Sequence, residues 1–302
     1  MLRFLIVILG AMSLILPASA CNMASDARSD DLVGYVSNGL NCLATPPDAF
    51  RFDVDAEQQF ERAINEVREQ AGLNRLKLRP ETRAAARFHS LDMGANAFFS
   101  HSSPAGRAHD ARIAAFDRRL LSDRSAENVA QFGPAVCLDQ DENEVSCLLI
   151  PGFKLPTRSE VVGRLHRQLM DSEGHRENIL DPDVTHMAVG VARTDTGFYV
   201  TQLFVSVAGT LETPLPVALE TGQALKVDVD LDGWDGYSFA VSTTDEPIDL
   251  KSGKLPRKLS GDVTLNVRAE RVERADKNRK PERVFWIYLT GPSATIIPAK
   301  ES

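Results

Sequence analysis

An α+β fold follows from three features of the chain. Apolar residues recur at helical spacing between about residues 55 and 171, period-two alternation takes over from about residue 187, and strings carrying His and Glu fall at the ends of the periodic segments. Helices first and strands afterwards is the order of a mixed domain followed by an all-β one, so the chain divides into residues 53–210 and 211–302.

The helical part reads as four segments. Asp55 with Gln58 has the form of a capping box, and Phe60, Ile64, Val67 and Ala71 follow at helical spacing until Gly72 stops the run. A second helix begins after Pro80 and sets Ala84, Phe88, Leu91 and Ala95 on one face, with Asn96 as its stop. The third, from Ala108 to Leu120, places Ile113, Phe116 and Leu120 together. The fourth runs from Ser159 to Asp171 with Val161, Val162, Leu165 and Leu169 inward, and Gly174 breaks it.

Strands follow. Met187 to Arg193, the turn Asp195-Thr196-Gly197 and Phe198 to Val207 form a hairpin, whose second strand carries Phe198, Val200, Gln202 and Phe204 on one face. Gln202 among apolar neighbours is either a satisfied buried amide or a contact to something bound. Leu211 to Val217, with Pro214 and Pro216, is a linker. Beyond it, alternation over Leu225 to Leu231 and Val263 to Val267, and an apolar run from Val284 to Leu289 suited to a strand covered on both faces, predict a small β-sandwich.

The ends of the 302-residue chain are simpler. Residues 1–20 combine Arg3, an apolar run from Phe4 to Leu16 and the small residues Pro17 to Ala20, the pattern of a secretory signal peptide. Residues 21–52 read as an irregular leader. Ala18-Ser19-Ala20-Cys21 is similar to the lipobox of bacterial lipoproteins, which would anchor Cys21 to lipid in the outer membrane. Ala18 fits ordinary A-x-A cleavage better, and four cysteines in an oxidising compartment pair locally as Cys21 with Cys42 and Cys137 with Cys147. The expectation is therefore export to the periplasm or medium without a transmembrane segment. A net charge of −8 with no concentrated basic surface argues against nucleic acid.

Three strings carry the chemistry: FFSHSSPAG (Phe98 to Gly106), AENVA (Ala126 to Ala130) and SEGHRENIL (Ser172 to Leu180). Their candidate site residues are His101, Glu127 and His175. Two imidazoles and a carboxylate can hold a divalent cation, zinc above all, with a position open to water. Without a metal, Glu127 can orient a His as general base. Ser100 and Ser172 are the neighbouring hydroxyls, but neither lies in a G-x-S-x-G elbow, and no HExxH occurs. His89 reads as a donor behind the site or a core hydrogen-bonding group; His109, His166 and His186 as surface or cap residues; Arg176 and Asn178 as ties for the loop. The acidic run Asp139, Asp141, Glu142 and Glu144 lacks the Gly of an EF-hand and reads as a solvated face.

In order along the chain, INEVREQAGLNRLKL, ARFHSLDM, FFSHSSPAG, AENVA, EVV, SEGHRENIL, AVGVA and TQLF resemble the bacterial branch of the CAP superfamily: cysteine-rich secretory proteins, antigen-5 and pathogenesis-related proteins. The resemblance covers Phe60 to Phe204 and implies an α-β-α sandwich, helices on both faces of a central antiparallel sheet, with His101, Glu127 and His175 in one cleft. The chain departs from the family pattern at Ala126 for Gly, Leu169 for Trp and Glu173 for Pro. The function it implies is an envelope or extracellular binding module whose cleft takes a small ligand, lipid or glycan. The alternatives are a metal-assisted or general-base hydrolase, and an interaction module whose cleft is vestigial and whose β domain meets an envelope protein partner.

Overall fold

The computed structural model describes residues 21–23, 31–139, 145–150, 152–231, 233–243, 247–250, 253–273 and 283–299. The signal peptide expected over residues 1–20 and most of the acidic run lie outside them, as do the side chains of Cys137 and Cys147.

The helices are α1 (Leu32–Ala44), α2 (Val54–Gln70), α3 (Pro80–Ala95), α4 (His109–Phe116), α5 (Arg158–Asp171) and α6 (Glu173–Leu180). Among the strands, β1 (Arg51–Phe52), β2 (Lys77–Leu78), β3 (Leu120–Phe132), β6 (His186–Arg193) and β7 (Phe198–Leu211) belong to the first region, and β4 (Ala135–Asp139) and β5 (Val145–Leu149) form a separate hairpin. The C-terminal region is all β: β8 (Ala218–Glu220), β9 (Val229–Asp230), β10 (Gly236–Ser242), β11 (Pro247–Asp249), β12 (Gly261–Glu273) and β13 (Arg283–Ile297).

Strand order in the main sheet is β1-β6-β7-β3-β13-β12-β10-β11. Its first four strands pair antiparallel, and the single residue pair Ser122 with Thr290 joins β3 to β13. Alternation along β6 and β7 sends side chains to opposite faces. Met187, Val189, Val191, Val200 and Phe204 meet Phe60 and Ile64 of α2, Val161 and Leu165 of α5 and Ile179 of α6. Ala192, Leu203 and Val205 meet Phe88 and Leu91 of α3, Phe116 of α4 and Tyr35 of α1. Two cores flank one sheet, which is the expected α-β-α sandwich. Gly190 shows how closely the layers approach: a Cβ there would stand 2.3 Å from the Ala86 carbonyl carbon and the Arg87 nitrogen of α3.

Several elements differ from the sequence expectation. The leader is not irregular: Leu32–Ala44 is helical, because Leu32, Tyr35, Val36, Gly39 and Cys42 share a buried face. A disulfide from Cys21 to Cys42 pins that helix, as the cysteine pairing predicts. The third helix ends at Phe116, and Leu120 opens strand β3, its backbone N–H held by the Asp117 carboxylate at 3.1 Å. Gly174 does not end a helical stretch; it lies in α6, which starts directly after Ser172. Leu225 and Val227 are buried without forming a strand of the predicted length. Finally, β13 is covered on one face only. Leu289 faces a core of Val241, Leu265 and Val267, whereas Trp286 and Tyr288 are 56% and 74% exposed. Among the described residues no helix is long and apolar enough to cross a membrane.

A cleft with two imidazoles at its surface and a carboxylate behind one of them

His101 is carried by the loop between α3 and α4. Asn96 caps α3, the Phe98 N–H reaches back to the Met93 carbonyl, and Ala97 between them adopts the left-handed region with φ 53°. A glycine takes that conformation without the Cβ penalty. Ala97→Gly should therefore raise stability by about 0.5–1 kcal/mol, read from the urea midpoint, and a drop would show that the Ala97 methyl packs usefully.

Glu127 lies on β3 and is buried, with 5% exposure. One carboxylate oxygen accepts from His101 Nδ1 at 3.0 Å, and the other accepts from Arg112 of α4. Arg112 is 1% exposed and also donates to the backbone carbonyls of His101 (2.8 Å) and Arg107 (2.6 Å). One guanidinium thus fixes the carboxylate and the loop that presents the imidazole. Burial alone would raise the Glu127 pKa, but the His101 hydrogen bond and the Arg112 charge outweigh it and hold the pKa below the usual carboxylate range. With Nδ1–H given to Glu127, the His101 tautomer is set and Nε2 keeps its lone pair.

His175 arrives from the other side on α6. Asn178 Nδ2 donates to the Glu127 carbonyl at 3.2 Å and to Asn128 Oδ1 at 2.9 Å. Asn128 Nδ2 in turn donates to the His175 carbonyl at 3.1 Å and to Gln202 Oε1 at 3.2 Å. The amides of β3, β7 and α6 therefore form a staple under the site. Burial, then the proximity of His101, lowers the His175 pKa, so its imidazole is neutral near neutral pH.

His101 and His175 both line an open hollow of about 870 Å³. Its apolar walls come from Phe99, Phe132, Phe153 and Leu169, and its polar edge includes Ser100, Gln168 and Ser172. Glu127 is not part of the lining; it acts on the hollow through His101. The sequence expectation of a His101, Glu127 and His175 metal set does not fit this arrangement. Both Glu127 oxygens already have donors, one of them a buried guanidinium whose charge opposes a cation, and among the described residues no group of three His, Cys, Asp or Glu side chains could hold a metal ion.

Other residues that the sequence singles out, by contrast, turn out to be supports. His89 is fully buried and its Nε2 lies 2.9 Å from the Ser100 carbonyl, bracing the loop from beneath. Gln202 is a buried amide with its carbonyl satisfied by Asn128 and its nitrogen without a partner among the described residues. Arg176 donates to the Met170 carbonyl at 2.9 Å, tying α6 to α5. His166, expected at the surface, is partly buried, and neither ring nitrogen is hydrogen-bonded to a described residue. Arg112 and Asn128 escape sequence reasoning. The available signal for Arg112 is its place four residues before Phe116, on the apolar side of its helix.

The sequence profile of the cysteine-rich secretory protein family matches residues 61–207, the stretch that holds all three candidate residues. The chain is a CAP-superfamily protein through that region. A curated relative, the uncharacterized protein YkwD of Bacillus subtilis (strain 168), is 30% identical over 149 residues, which is 49% of this chain and 46% of that protein. Among solved structures, an extracellular SCP-domain protein of Bacillus anthracis str. Ames is 26% identical at a TM-score of 0.37, covering 50% of this chain and 40% of the other. An outer surface protein of Borrelia burgdorferi is 15% identical at a TM-score of 0.38, covering 52% of this chain and 98% of that one. This chain thus spans less than half the length of either Bacillus protein.

Proposed function

We propose that this CAP domain is an exported binding module whose cleft takes an amphipathic small ligand. The observation that carries the reading is the hollow itself: about 870 Å³, open to solvent, its lining divided between aromatic and aliphatic side chains and polar groups that include two imidazoles and the Arg164 guanidinium. That division suits a ligand with an acyl or other apolar portion against Phe99, Phe132 and Phe153 and a polar head near His101 and His175. Export is supported by the signal-like residues 1–20 and by a disulfide, which persists in oxidising compartments. The Cys21 sulfur is occupied by that disulfide, which favours the unanchored form over lipid attachment at Cys21.

Fluorescence titration with a dansylated long-chain fatty acid tests the reading. Saturable binding should weaken roughly tenfold or more in Phe99→Asp, given the apolar area that Phe99 contributes, with an unchanged melting temperature because Phe99 is 48% exposed. Binding that is absent, or equal in the two proteins, would end it.

A second reading has its own observation, the oriented His101 and Glu127 pair. With its tautomer fixed, His101 Nε2 can take a proton from a water or hydroxyl brought into the hollow, which is general-base hydrolysis. His101→Ala should then abolish turnover of a p-nitrophenyl ester while lowering stability by only about 1–3 kcal/mol, the cost of taking one donor from the buried Glu127 carboxylate. Residual turnover at the wild-type rate would assign the reaction elsewhere.

A further inference from the structure

The C-terminal strands carry a hollow that shares no lining residue with the cleft. Register places Gly236, Glu270 and Trp286 in one row across β10, β12 and β13, then Ser238, Arg268 and Tyr288, then Ala240, Asn266 and Thr290. Partners directly opposite one another share a face, so these rows form one surface, the reverse of which is the Val241, Leu265, Val267 and Leu289 core. The surface is not flat. Ser238, Ala240 and Ser242 on β10 are small, Tyr288 on β13 is large, and just past Thr290 the register shifts, Leu265 of β12 standing against Gly291 and Pro292 of a bulged β13. The result is a hollow of about 590 Å³ bounded by Ser238, Asn266, Arg268, Tyr288 and Thr290.

Its chemistry is particular. Trp286 and Tyr288 stand two residues apart on the same strand face, about 6.6 Å along it, so one extended ligand can lie across both. Large aromatic faces held in water at 56% and 74% exposure are apolar plates with polar edges. Between them and β10 lie neutral hydrogen-bonding groups. Asn266 spends its Nδ2 on Ser242 Oγ (2.8 Å) and on the Thr264 carbonyl (3.0 Å), which fixes the amide and leaves Oδ1 as an oriented acceptor. The formal charges in these rows, Arg268 and Glu270, cancel, in a chain of net charge −8. That balance opposes nucleic acid and anionic membrane, which need an excess of cations, and apart from the Val272 and Val284 row beside Trp286 the described neighbours of the two rings on this face are polar or small, unlike the core of a protein interface. A ligand complementary to it is uncharged, has flat C–H faces to stack on aromatic rings and carries many hydroxyls at its edges.

We propose that the outer face of β10, β12 and β13 binds a neutral pyranose-based oligosaccharide, with Trp286 and Tyr288 stacking on successive rings and Asn266 and Arg268 meeting their hydroxyl or amide groups. Isothermal titration of the full chain with chitohexaose and with cellohexaose tests this. At least one should bind saturably, with a blue shift in tryptophan emission. Trp286→Ala and Tyr288→Ala should each weaken binding about tenfold or more at an unchanged melting temperature, and the cleft variant Phe99→Asp should bind as the wild type does. The proposal is overturned if neither neutral hexasaccharide binds at millimolar concentration, or if the two aromatic variants bind like the wild type. It is equally overturned if binding is confined to polygalacturonate and vanishes with salt, or if the face proves to pair two copies of the chain, with Trp286→Ala converting a dimer to a monomer.

Discussion

Arg112→Ala is expected to lower the unfolding free energy by about 3–5 kcal/mol, measured by urea denaturation at pH 7. The magnitude follows from what the substitution leaves behind. Glu127 and Arg112 have side chains 1% exposed each, so removing the guanidinium strands a buried carboxylate. It also frees the His101 and Arg107 carbonyls that the same guanidinium had held. The double variant Arg112→Met, Glu127→Leu separates these contributions: with both charges gone it should recover most of the loss, the remainder being the two orphaned carbonyls. The pH dependence has a definite sign. The folded pKa of Glu127 is depressed, so the pair contributes fully above the ordinary carboxylate range and its contribution is lost as pH falls through the folded pKa. The gap between wild type and Arg112→Ala should accordingly narrow in acid. A loss below about 1 kcal/mol at pH 7, or a gap that widens in acid, would mean that this ion pair does not hold the loop.

How much of this is legible in the sequence depends on the range of the interaction concerned. The faces of α2, α3 and α5 follow from local spacing, and Phe60, Phe88 and Leu165 are buried as their periodicity requires. The motifs locate His101, Glu127 and His175, and two of them do share a cleft. What local pattern does not encode is which polar residue sits behind which. Arg112 and Glu127 are separated by a turn and a change from helix to strand, and an Arg in a short helix looks like a solvated one until its partner is placed. The same holds for Asn128, whose bonds reach His175 and Gln202 far along the chain. At β13 the apolar run Val284 to Leu289 suggests two covered faces, because composition alone cannot tell an absent second layer from a present one. Trp286 and Tyr288 are informative for that reason: their exposure contradicts their hydrophobicity.

His89 gives the other large effect, through protons. Burial foremost, and then the charge of Arg112, push its pKa from 6.5 down to about 4, while Glu127 and the Ser100 carbonyl pull weakly the other way. The geometry agrees. Nε2–H donates to the Ser100 carbonyl, so Nδ1 carries the lone pair, and Nδ1 has no hydrogen-bond partner among the described residues. A second proton would therefore be placed on a buried nitrogen with no acceptor. Between pH 6.5 and about 4 the unfolded chain takes that proton and the native state does not, so stability falls as pH falls, by about 1.4 kcal/mol per pH unit and about 3 kcal/mol over the window. His166, His175 and His186 are also depressed and add to the slope in the same direction, so the measurement is the difference between wild type and His89→Gln, in which the amide can keep a donor for Ser100 without titrating. Stability curves from urea melts at half-unit steps should diverge by one proton's worth between about pH 6 and 4.5, the variant losing less. Parallel curves would mean that His89 takes up its proton while folded, and that the loop it braces opens to let it do so.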